Sequence, residues 1–155
     1  PATVSGLSTG TAHETFNSLT VDAPSISLGT TPLNKSASLW IEKAATQATR
    51  NFAIYVKAGL SAFNASVSMA IATVSANTTL DLTYYTVLVD ATAGARTITL
   101  PTGAQYTGVV YVIKKIDSSG NAVGFTTAEG SQSISSQWGS KTIQYNGTSW
   151  YIIGN

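Results

Sequence analysis

The side chains able to do acid–base or nucleophilic chemistry are few and far apart. There is a single histidine, His13, in a polar stretch near the start of the chain, and there is no cysteine. With no cysteine and no GxSxG elbow to partner that histidine, the sequence argues against acyl transfer. The carboxylates are Glu14, Glu42, Glu129, Asp22, Asp81, Asp90 and Asp117. A glycosidase needs two carboxyl groups facing one sugar cleft, and no spacing here builds such a pair. Asp90 and Asp117 stand at the ends of apolar runs, where Asp commonly caps a turn. No close-spaced acidic motif or second His offers a metal site. The glycine-containing stretch SSGNAVG lacks the Lys and the following helix of a phosphate loop. The inventory argues for no enzymatic activity, no cofactor and no metal.

Binding chemistry has better support. Trp138 lies in SISSQWGSK, one large aromatic among small polar residues. An indole in a polar loop can stack on a sugar ring while Gln137 and Ser136 hydrogen-bond its hydroxyls. The competing explanation is an indole folded back to plug the end of a sheet. Tyr106 and Gln105, in PTGAQYTG, form a second candidate loop with the same alternative. Trp40, Trp150 and Tyr151 sit instead within apolar strands and read as core or assembly contacts, as do Phe52, Tyr55, Val110, Val112 and Ile153.

The elements that must position these residues read as strands. Charged residues make up 10% of the 155 residues, well below the usual quarter or so for soluble domains, so long solvated helices have little to cover their outer face. Residues 1–34 are rich in Ser, Thr, Gly and Pro, with thin apolar spacing, and read as short extended pieces separated by turns. Too little apolar side chain is present there for that segment to fold alone, which favours identical copies wrapping around one another. Leu39–Ile41 and Phe52–Val56 read as strands flanking residues 42–51, whose composition leaves helix and loop both open. From Phe63 to Ile71 the alternation is strict: Phe63, Ala65, Val67, Met69 and Ile71 on one face, Asn64, Ser66, Ser68 and Ala70 on the other. That is the pattern of a half-buried strand.

Beyond Thr73 come strands at short spacing. Tyr84–Val89 and Arg96–Leu100 are expected to form a hairpin through residues 90–94. Val109–Ile116 is apolar on both faces up to Lys114, as in an interior strand or one covered by a neighbouring chain. Asn146-Gly147 predicts a two-residue turn between Lys141–Tyr145 and Thr148–Ile153, placing Tyr145 opposite Thr148, Ile143 opposite Trp150 and Thr142 opposite Tyr151. Trp150 and Ile152 then share one face and Tyr151 and Ile153 the other, so this strand too wants cover on both sides. The expected fold is all-β: a stalk-like extended region over residues 1–72 with a strand–turn–strand unit, then an antiparallel, β-sandwich-like tip over residues 73–155.

The net charge is +1 and no basic cluster exceeds Lys114-Lys115. There is thus no electrostatic footprint for a polyphosphate backbone, which argues against nucleic acid as a partner. No apolar run approaches the ~20 residues of a membrane span. Without cysteine no disulfide can brace the chain, and oligomerisation is the natural substitute.

The phrases YTVLVDAT, TITLP, YVIKKIDSS and NGTSWYII, spread over roughly the second half of the chain, resemble a module at or near the C-terminus of bacteriophage tail-fibre and related virion proteins. LWIEKAATQATRNFAIYVKAG resembles, more loosely, a strand–turn–strand unit of phage fibres. The resemblance implies a homotrimeric, all-β virion component, extracellular-facing, that attaches to a host surface glycan or protein. An alternative from another class is a fibre adaptor or decoration protein that binds only other virion proteins. Neither implies enzymatic activity, and the resemblance carries over no fixed set of binding residues.

Overall fold

The computed structural model describes residues 63–155, together with Phe52, Ile54, Val56 and Ser61. The expectations for residues 1–34, for Leu39–Ile41, for residues 42–51 and for Trp40 and Tyr55 lie outside the described residues. The described residues are nearly all strand, turn and extended chain, apart from a three-residue 3-10 turn at Ala104–Tyr106. The all-β expectation holds.

Among the described residues, nine strands build two sheets. β1 (Ile71–Val74), β3 (Thr86–Val89), β5 (Val110–Lys115), β8 (Ser140–Tyr145) and β9 (Trp150–Gly154) form a five-stranded sheet in the order β1-β3-β5-β8-β9. β2 (Thr78–Thr79), β4 (Arg96–Thr99), β6 (Val123–Thr127) and β7 (Gly130–Ile134) form a four-stranded sheet in the order β2-β4-β6-β7. From β1 to β6 the chain crosses from one sheet to the other at every step. Each return places a strand parallel to the one a coil earlier, with Thr86 level with Ile71 and with Val112, and Ile98 level with Thr78. Three stacked coils result. The last of them is finished by antiparallel pairing, β6 with β7, β5 with β8 and β8 with β9.

This corrects the antiparallel tip in its first half. Strands β3 and β4, expected as a hairpin, belong to different sheets. Alternation cannot separate the two cases, because a hairpin and an arch between sheets both put every second residue inward. The chain between them decides. Ala91 is fully buried, so residues 90–95 dive through the ~10 Å between packed sheets rather than folding back in plane.

Inward residues of both sheets meet in one core: Val87, Val89, Tyr111, Ile113, Ile143 and Trp150 against Ile98, Val123, Phe125 and Ile134. β5 is the middle strand of its sheet, as its apolar sequence predicts. The Phe63–Ile71 alternation fares differently. Only its last residue enters a strand, and Phe63, Val67, Met69 and Ile71 are 75%, 57%, 49% and 66% exposed. The pattern of a half-buried strand is present without anything among the described residues to bury it.

The β8–β9 connection also departs from expectation. Tyr145 faces Trp150, Gln144 faces Tyr151 and Ile143 faces Ile152, with a bulge between Thr142 and Ile143. Asn146–Ser149 thus forms a four-residue loop. The Asn146 carboxamide oxygen accepts from the amides of Thr148 and Ser149, both at 2.9 Å, and the Asn146 amide donates to the Ser149 carbonyl at 3.1 Å. The Asn side chain closes the wider loop in place of a tight two-residue turn. The slip is two residues, so the faces survive: Trp150 is buried while Tyr151 and Ile153 are exposed.

Candidate functional site

β5 ends at a buried lysine. Lys115 follows Tyr111 and Ile113 on the inward face and is wholly shielded from solvent. Burying an ammonium is costly unless it is paired and its three protons are satisfied. Its Nζ donates to Asp117 Oδ1 at 2.5 Å, to the Asp117 carbonyl at 2.7 Å and to the Ser119 carbonyl at 3.1 Å. The other carboxylate oxygen accepts the Ala91 amide at 2.7 Å, and the Ser119 amide donates to Oδ1 at 3.0 Å. Asn121 donates from its side chain to the Ala91 carbonyl at 2.9 Å. This cluster ties the arch after β3 to the arch after β5. Burial pushes the Asp117 carboxyl up, but the hydrogen bonds from Lys115, Ser119 and the Ala91 amide outweigh it and hold the group well below the usual carboxylate range. Asp90 is also held low, by bonds from Thr92. Both aspartates cap arches, as their positions in the sequence predict.

On that braced end stands the Trp138 turn. The Trp138 amide donates to the Lys115 carbonyl at 2.9 Å and the Lys115 amide to the Gly139 carbonyl at 3.0 Å, so the turn continues the ladder of β5. Trp138 has φ 65°, the one positive value on a non-glycine among the described residues. For a residue carrying Cβ, that region costs about 1–2 kcal/mol. Gly139 lets the chain through, since a Cβ there would lie 2.9 Å from Ile134 Cγ2 and 3.0 Å from the Ser136 carbonyl. The indole is 60% exposed, so it does not plug the sheet end. Lys114 Nζ donates to the Trp138 carbonyl at 3.1 Å and lies 6.0 Å from the ring centroid, at the outer limit of a cation–π contact. Gln137 Nε2 donates to the Ile116 carbonyl at 3.2 Å, and the Ser136 carbonyl accepts the Gly139 amide at 3.1 Å. The three candidates Trp138, Gln137 and Ser136 therefore form one built turn. It presents an aromatic face beside an ammonium and a carboxamide.

Compared with known proteins, the chain matches no family model and no curated protein.

The second candidate loop is elsewhere. Gln105 is exposed and Tyr106 half-buried against the core, in the 3-10 turn that precedes β5. Trp138 sits beyond the other end of that strand, six residues away at ~3.3 Å each, so the two loops cannot share one small ligand. Trp150 is core. Its ring stacks on Tyr111 at 4.9 Å and tilts against Tyr145 at 5.1 Å, and its Nε1 donates to the Pro101 carbonyl at 2.7 Å. Val110 and Val112 are half-buried on the opposite, outward face, where Tyr151 and Ile153 are exposed. Phe52 is 46% exposed.

Two features escaped the sequence. Lys115 was signalled by counting in twos from Tyr111 and Ile113. The other is a groove of about 360 Å³ whose lining takes in Thr97 and Thr99 of β4, Thr126 of β6, and Thr148 and Ser149, with Phe125 and Trp150. The β4–β6 ladder stops at Thr97 and Gly124, and nothing local announces that parting. Among the described residues no cluster of His, Asp and Glu is arranged to hold a metal ion, and no helix is long and apolar enough to cross a membrane.

Proposed function

We propose that this chain is a non-enzymatic structural component of a phage tail fibre, assembled as a homotrimer, that attaches the virion to a host surface glycan or protein through the Trp138 turn. The observation that carries this reading is an exposed indole held at positive φ on the braced end of a rigid sheet. A large aromatic side chain held strained and in water costs the fold stability, whereas a binding site gains from an aromatic face that is already in position. Lys114 and Gln137 beside it supply polar contacts for ring hydroxyls. One such turn binds weakly. Three on a common axis act together, and avidity of this kind gains roughly 10²–10⁴-fold over a single site.

Binding to an array of bacterial surface polysaccharides, measured for the chain and for Trp138→Gly, tests the reading. Glycine accepts the backbone conformation and removes the ring. The expected outcome is loss of binding with stability unchanged or raised by about 1 kcal/mol. Retained binding would place attachment elsewhere on the molecule.

A second reading has its own support. The exposed apolar side chains of Tyr151, Ile153 and Met69 also suit a fibre adaptor or decoration protein that docks only on other virion subunits. Recovery of virion proteins alone, with no glycan bound, would favour it.

A further inference from the structure

We infer that the outward face of the five-stranded sheet, together with the extended segment leading into it, is where copies of this chain meet. The inference rests on the assembly part of the reading above and names the surface. Six large apolar side chains lie on it in water: Val67, Met69, Ile71, Leu82, Tyr151 and Ile153 are between 41% and 66% exposed. The face is continuous. Met69, Leu82 and Val110 line one shallow groove, Gln144, Tyr151 and Ile153 line the next, and Gly108 lines both. Register agrees, with Val110 level with Gln144 and Gln144 level with Tyr151 across three strands.

The area is that of an interface. At on the order of 100 Å² each, the six expose roughly 600 Å², the upper end of the largest patch on an ordinary monomer. Half-buried Val110 and Val112 bring the face toward the ~800 Å² that each partner contributes to a standard interface.

Two observations name a second copy as the occupant. No charged residue lines either groove, so a partner of opposite charge finds nothing to read, while an identical face meets it without repulsion. Residues 63–69 supply the other. They alternate apolar and polar like a strand, yet make no hydrogen bond among the described residues, and the first ladder contact is the Thr86 amide to the Ala70 carbonyl at 2.9 Å. Such a segment has the pattern of a strand whose sheet lies in another molecule. Left bare, it is an edge that invites indiscriminate pairing, and closed assembly removes that edge.

The test is the solution mass of the chain, of Met69→Glu and Ile153→Glu on this face, and of Ser133→Glu on the exposed face of the other sheet, with circular dichroism and melting curves confirming that each folds. The chain and Ser133→Glu are expected to be oligomers, and both face variants to dissociate toward 16.1 kDa, with self-association weakened at least ~10-fold by a buried unpaired charge. An oligomer indifferent to both face variants overturns this assignment and leaves the assembly reading standing. A monomeric wild-type chain overturns both, including the case where the face captures only other virion subunits. Dissociation by the face variants in a chain that binds no host glycan supports this inference while removing the attachment role.

Discussion

Lys115 and Asp117 are the pair on which the arch end depends. Asp117 is held below its ordinary value near 3.8. A carboxyl depressed in the folded state adds stability above its unfolded pKa and loses it as pH falls through the folded value. Asp81 and Asp90 are lowered in the same sense. Unfolding stability should therefore be flat above about pH 5 and fall progressively below the ordinary carboxylate value. Asp117→Asn removes the counter-charge of a buried ammonium. The expected result at neutral pH is a lower melting temperature, and in acid a shallower decline than in the unsubstituted chain. An unaltered melting temperature would mean that the pair braces nothing. At this scale the sequence was half legible. Asp90 and Asp117 were recognisable as turn caps, and Trp138 as an indole in a polar loop. Lys115 was not, because a lysine after Lys114 at the end of an apolar run looks like a strand emerging into water. The period of two, followed strictly, points it inward.

Among the elements, β5 is the one on which both sheets rely. It is flanked by β3 on one side and β8 on the other, and Ile113 is wholly buried. Ile113→Ala should cost about 2–5 kcal/mol by chemical denaturation, against less than about 0.5 for Thr97→Ala on the exposed face of β4. Similar costs for the two would contradict the central place of β5. Strand existence was readable from alternation at β4 and from short apolar runs bounded by turn residues at β3, β5 and β9. Pairing was not. Parallel coils join residues 15 to 27 positions apart, as Thr86 with Ile71 and Arg96 with Val123, and no local signal records so distant a partner. Where pairing is local, the error was smaller. Asn146-Gly147 marked the β8–β9 turn at the right place, and the carboxamide bonds of Asn146 widened it by two residues, which shifts register by an even number from Ile143 to Tyr145 and so keeps those side chains on their faces.

For the whole molecule, the low charge, the Thr-rich strands and the absence of cysteine pointed to an all-β chain that stabilises itself by packing, and the two sheets bear out the all-β part. Strands with two apolar faces pointed further, to a partner. The described residues bury one face of β9 and leave Tyr151 and Ile153 of the other in water. They likewise leave the Phe63–Ile71 stripe uncovered. A sequence records that a face is apolar but not what covers it, so both the existence of a partner and its identity rest on proposal. The most direct test is the mass of the purified chain in solution by light scattering. The account predicts three times 16.1 kDa. A stable monomer of 16.1 kDa at micromolar concentration, with its outward apolar face left in water, would contradict it.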